Sequence, residues 1–304
     1  MSYEQFVERM EERVRAALAP GRSVRLRSAL KNNGRQRKGL VFTEAGVNTS
    51  PTIYLEEYYE RYQAGSSFEE VAGQILALYG SVRMDRSWDG ERLSRYENVK
   101  PRLICRLINR ERNRELLEEV PHVPYLDLAV VFHVLVDMEA DDRIATMLVR
   151  REHLKWWHVT EEEVRRAAGE NTEKLLPAEF KTLCAVLAQA GMEEPPVQAG
   201  PAGAYRMYVL TNSIQNFGAS AILYKDVLKK IGAFLKEDFY VLPSSIHEVI
   251  ILPESSAPSW RETAMIVKEI NETQVMEEEV LSDTPYFYRR SEGVLALPGW
   301  EKEA

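Results

Sequence analysis

The chain has few cysteines, no long apolar run and no glycine-rich phosphate loop, and each absence narrows its role. Two cysteines in 304 residues, Cys105 and Cys184, both among apolar neighbours, exclude a disulfide framework and fit a reducing compartment. No apolar stretch approaches the roughly 18 residues of a membrane span. The opening Met1-Ser2-Tyr3-Glu4-Gln5 lacks a basic segment followed by an apolar one, so no signal peptide is expected. The expectation is a cytoplasmic protein without membrane contact. Neither a Walker loop nor Gly-x-Gly-x-x-Gly occurs, which leaves no cradle for nucleotide phosphates. His153 and His158 lie about 140° apart around a helix and cannot share an ion, while His122 and His133 stand alone. No metal, no cofactor and no cysteine nucleophile is expected.

What remains is ordinary globular composition, 45% hydrophobic and 28% charged. At about 150 residues per domain the length suggests two domains. The charge is uneven. Of the net −8, residues 1–120 carry +3 and the remainder −11. Arg22, Arg25, Arg27, Lys31, Arg35, Arg37 and Lys38 follow one another without an acidic residue, and a second basic stretch spans Lys100, Arg102, Arg106, Arg110, Arg112 and Arg114. Both could neutralise phosphates in nucleic-acid binding. Solvated strand and helix faces are the more ordinary reading, since base-stacking aromatics do not alternate with these charges.

Phe6, Val7, Met10, Val14, Ala17 and Leu18 recur at helical spacing over 3–18. Val24 and Leu26 alternate with basic residues, and Asn32-Asn33-Gly34 reads as a hairpin turn before 39–43. Helices are expected over 52–63, where tyrosines mark a packed face, and from the Ser67 capping box to Leu78. The stretch 103–117 is open between strand and helix until its helical end. Leu126–Val136 and Thr146–Val149 read as strands, the latter leading into a helix over 152–157. A Thr160–Glu163 capping box opens another helix, and 178–190 a further one. Residues 192–204, with three Pro and two Gly, read as a linker. Two domains are thus expected, 1–191 and 205–304. The first divides into a helical and basic region over 1–120 and a strand–helix region over 121–191. Beyond the linker, strands are expected at 206–210, 219–223, 239–242 and 249–252, with helices over 226–235 and 260–270. A final strand is expected in the tail. Residues 145–155 align without a gap on 219–229, which suggests a strand–turn–strand–helix unit used twice. The fold class is α+β, with antiparallel or mixed sheets and attached helices.

The densest polar cluster in an apolar setting is Pro243-Ser244-Ser245-Ile246-His247-Glu248. Ser244, Ser245, His247 and Glu248 hold the residue types of a hydrolytic triad, but neighbours this close rarely form the relay, and Gly-x-Ser-x-Gly is absent. A turn shaped by Pro243 and its serines, or a binding loop, is the plainer reading.

Asn48-x-x-Pro51-x-x-Tyr54-Leu55, Pro121-His122-Val123-Pro124-x-Leu126-Asp127-Leu128-Ala129, Asn171-Thr172, Leu176-Pro177, the 243–248 block and Val280-Leu281-Ser282-Asp283 together resemble an uncharacterised family of anaerobic gut Firmicutes, catalogued as a domain of unknown function. The order of elements is more distantly similar to the bacterial YtpQ-like family. The resemblance implies a bacterial cytoplasmic protein and no substrate or catalytic residue. The reading drawn is a binding or regulatory protein acting by protein–protein contact without turnover, with residues 243–248 belonging to the contact. A serine hydrolase using that bend, and nucleic-acid association through 22–38 and 100–114, are the alternatives.

Overall fold

The computed structural model describes residues 1–47, 50–82, 91–138, 144–189, 191 and 206–297. It is α+β, in two compact units, Met1–Ser94 and Arg95–Ala304.

In the first unit, a Ser2 capping box opens the helix Tyr3–Ala17, which buries Phe6, Val7, Met10 and Val14. These pack on one face of an antiparallel sheet of β1 (Arg22–Leu30), β2 (Gln36–Glu44) and β3 (Thr52–Tyr54). The expected hairpin turn is present, with Asn33 and Gly34 at φ 59° and 69°. Helices Glu56–Gln63 and Phe68–Val82 complete the core, where Phe42 stacks on Tyr79 at 4.1 Å. The helix expected from Thr52 begins only at Glu56, because Thr52–Tyr54 pairs with β2.

In the second unit, β6 (Leu128–Met138) is central to one sheet. Along one edge it pairs with β4 (Leu103–Asn109), and along the other with β5 (His122–Tyr125) and β7 (Ile144–Leu148) end to end. β4 is buried on both faces, and its outer edge is finished by side chains. The Cys105 N–H donates to Thr172 Oγ1 at 2.8 Å and the Leu107 N–H to Ser220 Oγ at 3.1 Å. Thr172 rides on the helix Glu161–Leu175, which opens with the expected Thr160 capping box.

A second antiparallel sheet has the order β13–β12–β10–β11–β9–β8. Its strands are β8 (Ala178–Thr182), β9 (Tyr208–Asn212), β10 (Phe239–Leu242), β11 (Val249–Pro253), β12 (Tyr286–Arg289) and β13 (Val294–Ala296). Helices Val227–Leu235 and Trp260–Thr273 stand where helical spacing placed them. Three expectations are corrected. The helix expected over 178–190 starts at Leu183, since Ala178–Thr182 pairs with β9. The strand expected at 219–223 is a buried 3-10 helix, Gly218–Leu223, so 145–155 and 219–229 share letters but not structure. The domain limits also differ, because β8 and β9 are sheet neighbours on either side of 192–204 and Arg95–Ala304 is one unit. The segment 192–204 itself lies outside the described residues.

Candidate functional site

The bend between β10 and β11 is zipped, backbone to backbone, onto the Val280–Asp283 motif. The Ser282 N–H donates to the Pro243 carbonyl at 2.8 Å, Leu281 N–H to Ser244 at 3.0 Å, and Ile246 N–H to the Glu279 carbonyl at 2.8 Å. Pro243, Ser245 and Ile246 are buried; Ser244, His247 and Glu248 are half-buried. Ser245 Oγ accepts the His247 N–H at 3.0 Å, the short local turn that serine favours. The imidazole faces elsewhere. Its Nδ1 accepts the Phe217 N–H at 3.3 Å, which places the proton on Nε2, 3.3 Å from Glu279 Oε1. Phe217 also packs on the ring, at 5.4 Å between centroids. The structure therefore joins Ser245 to His247 through the backbone, and the imidazole's described partners include no hydroxyl.

Glu248 lines a different space, a cavity of about 160 Å³ on the β8–β9–β11 face shared with Glu179, Lys181, Thr211 and Gln215. Lys181 is paired with Glu179 at 2.7 Å. Burial pushes the Glu248 carboxyl above its ordinary range, with Glu279 adding to the shift and His247 opposing it. A carboxyl whose pKa is raised on folding stabilises the fold below its unfolded pKa, and that contribution is lost as pH rises through the folded value. Glu248→Gln should therefore raise the melting temperature at pH 7, and the gain should vanish as pH falls toward 4. Melts of both proteins across that range check it.

Residues that spacing did not single out form the other half of the seam. At the tip of the two-residue turn joining β5 to β6, Leu126 adopts φ 55° and presents Asp127. Asp127 accepts from Ser282 Oγ at 2.6 Å and from the fully buried Tyr286 hydroxyl at 2.5 Å. Asn271 Nδ2 donates to the Ser282 carbonyl at 3.0 Å and to Asp283 at 2.7 Å. Arg112 pairs with Asp283 at 2.9 Å, and Asn109 Nδ2 donates to the Leu281 carbonyl at 2.9 Å. Asp127, Ser282 and Asp283 stand in the motifs that carried the family resemblance, and that was their signal.

Of the 22–38 cations, Arg25, Arg27 and Arg37 lie on the solvent face of the first unit's sheet, opposite Val24, Leu40 and Phe42. Arg22 pairs with Glu44 at 3.2 Å, Arg37 is 3.9 Å from Glu57, Arg35 is exposed, and the Lys38 N–H donates to Glu56. An aromatic is present after all. Tyr54 of β3 comes to this face, 4.0 Å from Lys31 Nζ, over a Gly39 whose missing Cβ would sit 3.2 Å from its ring. The 100–114 cations do not form one surface, since Arg106 is buried, Arg112 is paired with Asp283, and Arg114 with Glu111.

Among the described residues there is no cluster of metal-ligating side chains and no helix long and apolar enough to cross a membrane. Fold and seam thus define an α+β protein whose polar motif residues are spent on joining its own elements. The chain belongs to a family of unknown function, DUF5688, whose model matches residues 3–290. No curated protein and no solved structure matches it.

Proposed function

We propose that the protein acts by binding another protein, without turnover, in a bacterial cytoplasm. The observation that carries the absence of turnover is the use of the bend's own groups. Ser245 holds the His247 N–H, His247 holds Phe217 and Glu279, and so the residue types of a triad are engaged without a relay. Exposed large side chains support a protein partner: Trp156, Phe234 and Met265 are each more than 60% exposed. The family resemblance and two free cysteines support the compartment. A fluorophosphonate probe should leave the protein unlabelled. Stoichiometric labelling of Ser244 or Ser245 that disappears in His247→Ala would overturn the reading in favour of a hydrolase. A photo-crosslinking residue at position 234 should trap a discrete protein adduct in cells of the source organism, and no adduct there counts against this contact.

One observation favours a second reading, nucleic-acid association. Arg25 and Arg27 are exposed without a carboxylate partner among the described residues, on the sheet face that also presents Tyr54. If this face binds nucleic acid, Arg25→Glu with Arg27→Glu should abolish a strongly salt-dependent affinity for single strands. No binding by the unmodified protein at low salt removes the reading.

A further inference from the structure

The cavity beside Glu248 is laid out in two rows by the sheet register. Val209 of β9 stands between Lys181 of β8 and Ile250 of β11, so these three share one face. The next row on that face sets Glu179 opposite Thr211. Glu248, one residue before the Val249–Leu210 pair, comes level with them. The helix Leu183–Gln189 follows β8 directly and brings Leu183 and Val186 to the same space. One side of the cavity is thus apolar, and the other carries carboxyl and hydroxyl groups.

The charges around it do not cancel. Lys181 Nζ is 2.7 Å from Glu179 Oε2, so that pair balances itself. Glu248 has no hydrogen bond or ion pair with any described residue, and its oxygens are not sealed from solvent. The neighbouring His247 is turned to Glu279 instead. Burial already holds the Glu248 carboxyl above its ordinary range, as befits a group facing apolar walls without a cation. Size narrows the class further. At about 160 Å³ the space falls below the roughly 300–1,000 Å³ of drug-sized sites, and is close to the roughly 150 Å³ that accepts one benzene ring.

We propose that this cavity binds a small primary ammonium ion with an apolar body of about one ring, its N–H groups on Glu248. A monocation completes the charge that the Glu179–Lys181 pair leaves over, and its body covers Val209, Ile250 and Val186. The ammonium has three donors, and Thr211 Oγ1 and the Gln215 amide offer further acceptors beside the carboxylate. An anion would meet two carboxylates here. This site is independent of the protein-binding reading, because it lies within the second unit and needs no protein partner.

Titration calorimetry and thermal melts at pH 7 and constant ionic strength test it, with benzylamine, the neutral benzyl alcohol and the anionic benzoate as probes. Benzylamine should bind saturably and raise the melting temperature, with benzyl alcohol weaker by about tenfold or more and benzoate without effect. Glu248→Gln should weaken benzylamine by about tenfold or more and leave benzyl alcohol unchanged. Val186→Phe, which fills the space from the helix without altering a charge, should weaken both by about tenfold or more. No saturable benzylamine response in the unmodified protein overturns the proposal, as does equal binding of benzyl alcohol or benzoate. Undiminished benzylamine binding in Glu248→Gln overturns it too, and so does undiminished binding in Val186→Phe, which would put the amine elsewhere. Should Glu248→Gln fail to fold, Val186→Phe and the comparison with benzyl alcohol decide.

Discussion

Asp127→Ala is expected to lower stability by about 2–6 kcal/mol, because it strips the acceptor from two donors at once. The Tyr286 hydroxyl, at 2.5 Å from Oδ1, belongs to a side chain with no exposed surface, and water cannot take the place of the carboxylate there. Ser282 Oγ, at 2.6 Å from Oδ2, is almost as deeply placed. Burial and the adjacent carboxylate already hold the Tyr286 phenol far above its ordinary pKa, so it stays a donor throughout the working range. Removing the orphan should recover some of the loss. In urea unfolding, Asp127→Ala with Tyr286→Phe should be more stable than the sum of the two single changes predicts, and strict additivity would count against the coupling. Asp127→Asn, which keeps one acceptor, should fall between.

Gly218→Ala should be the most damaging single-methyl change in the second unit, at about 3 kcal/mol or more. A Cβ at this buried position would lie 2.6 Å from the Asn212 backbone nitrogen and 2.6 Å from the His247 carbonyl oxygen. Neither atom can rotate away as a side chain would. The methyl would also meet Thr211 Oγ1, which donates to that same carbonyl. β9, the bend and the 3-10 helix would have to separate together. Gly80→Ala, with open space around its Cβ in the first unit, is the control and should cost little. Soluble yield and denaturant midpoints of the two variants measure the contrast.

Much of the fold was legible because it follows periodicity and capping. The helix Tyr3–Ala17, the hairpin around Asn33-Gly34 and the Thr160 box each depend on a few neighbouring residues. The misread elements depend on distant partners. Ala178–Thr182 is a strand because Tyr208–Asn212 lies beside it, and Ala219–Leu223 is helical because it packs against the edge of β4. Local propensity has no access to either fact. The seam was half visible. The 243–248 bend stood out for its polar residues, but its partner, 279–283, lies more than thirty residues on, and only the family motifs marked it. Arg106 was miscounted as one of a basic series. The better signal was its setting, a lone charge inside Leu103-Ile104-Cys105-Arg106-Leu107-Ile108, a strand apolar on both faces.

The hydroxyls of Thr172 and Ser220 along β4 have a bearing on what the protein avoids. A bare outer strand offers its N–H groups to any extended peptide, and identical chains can then join in register without limit. Here the Cys105 and Leu107 N–H groups are already engaged, by side chains that cannot themselves continue a sheet. The helix and the 3-10 segment that carry those hydroxyls also occupy the space a visiting strand would need. At this margin, self-templated polymerisation is blocked by two small alcohol side chains.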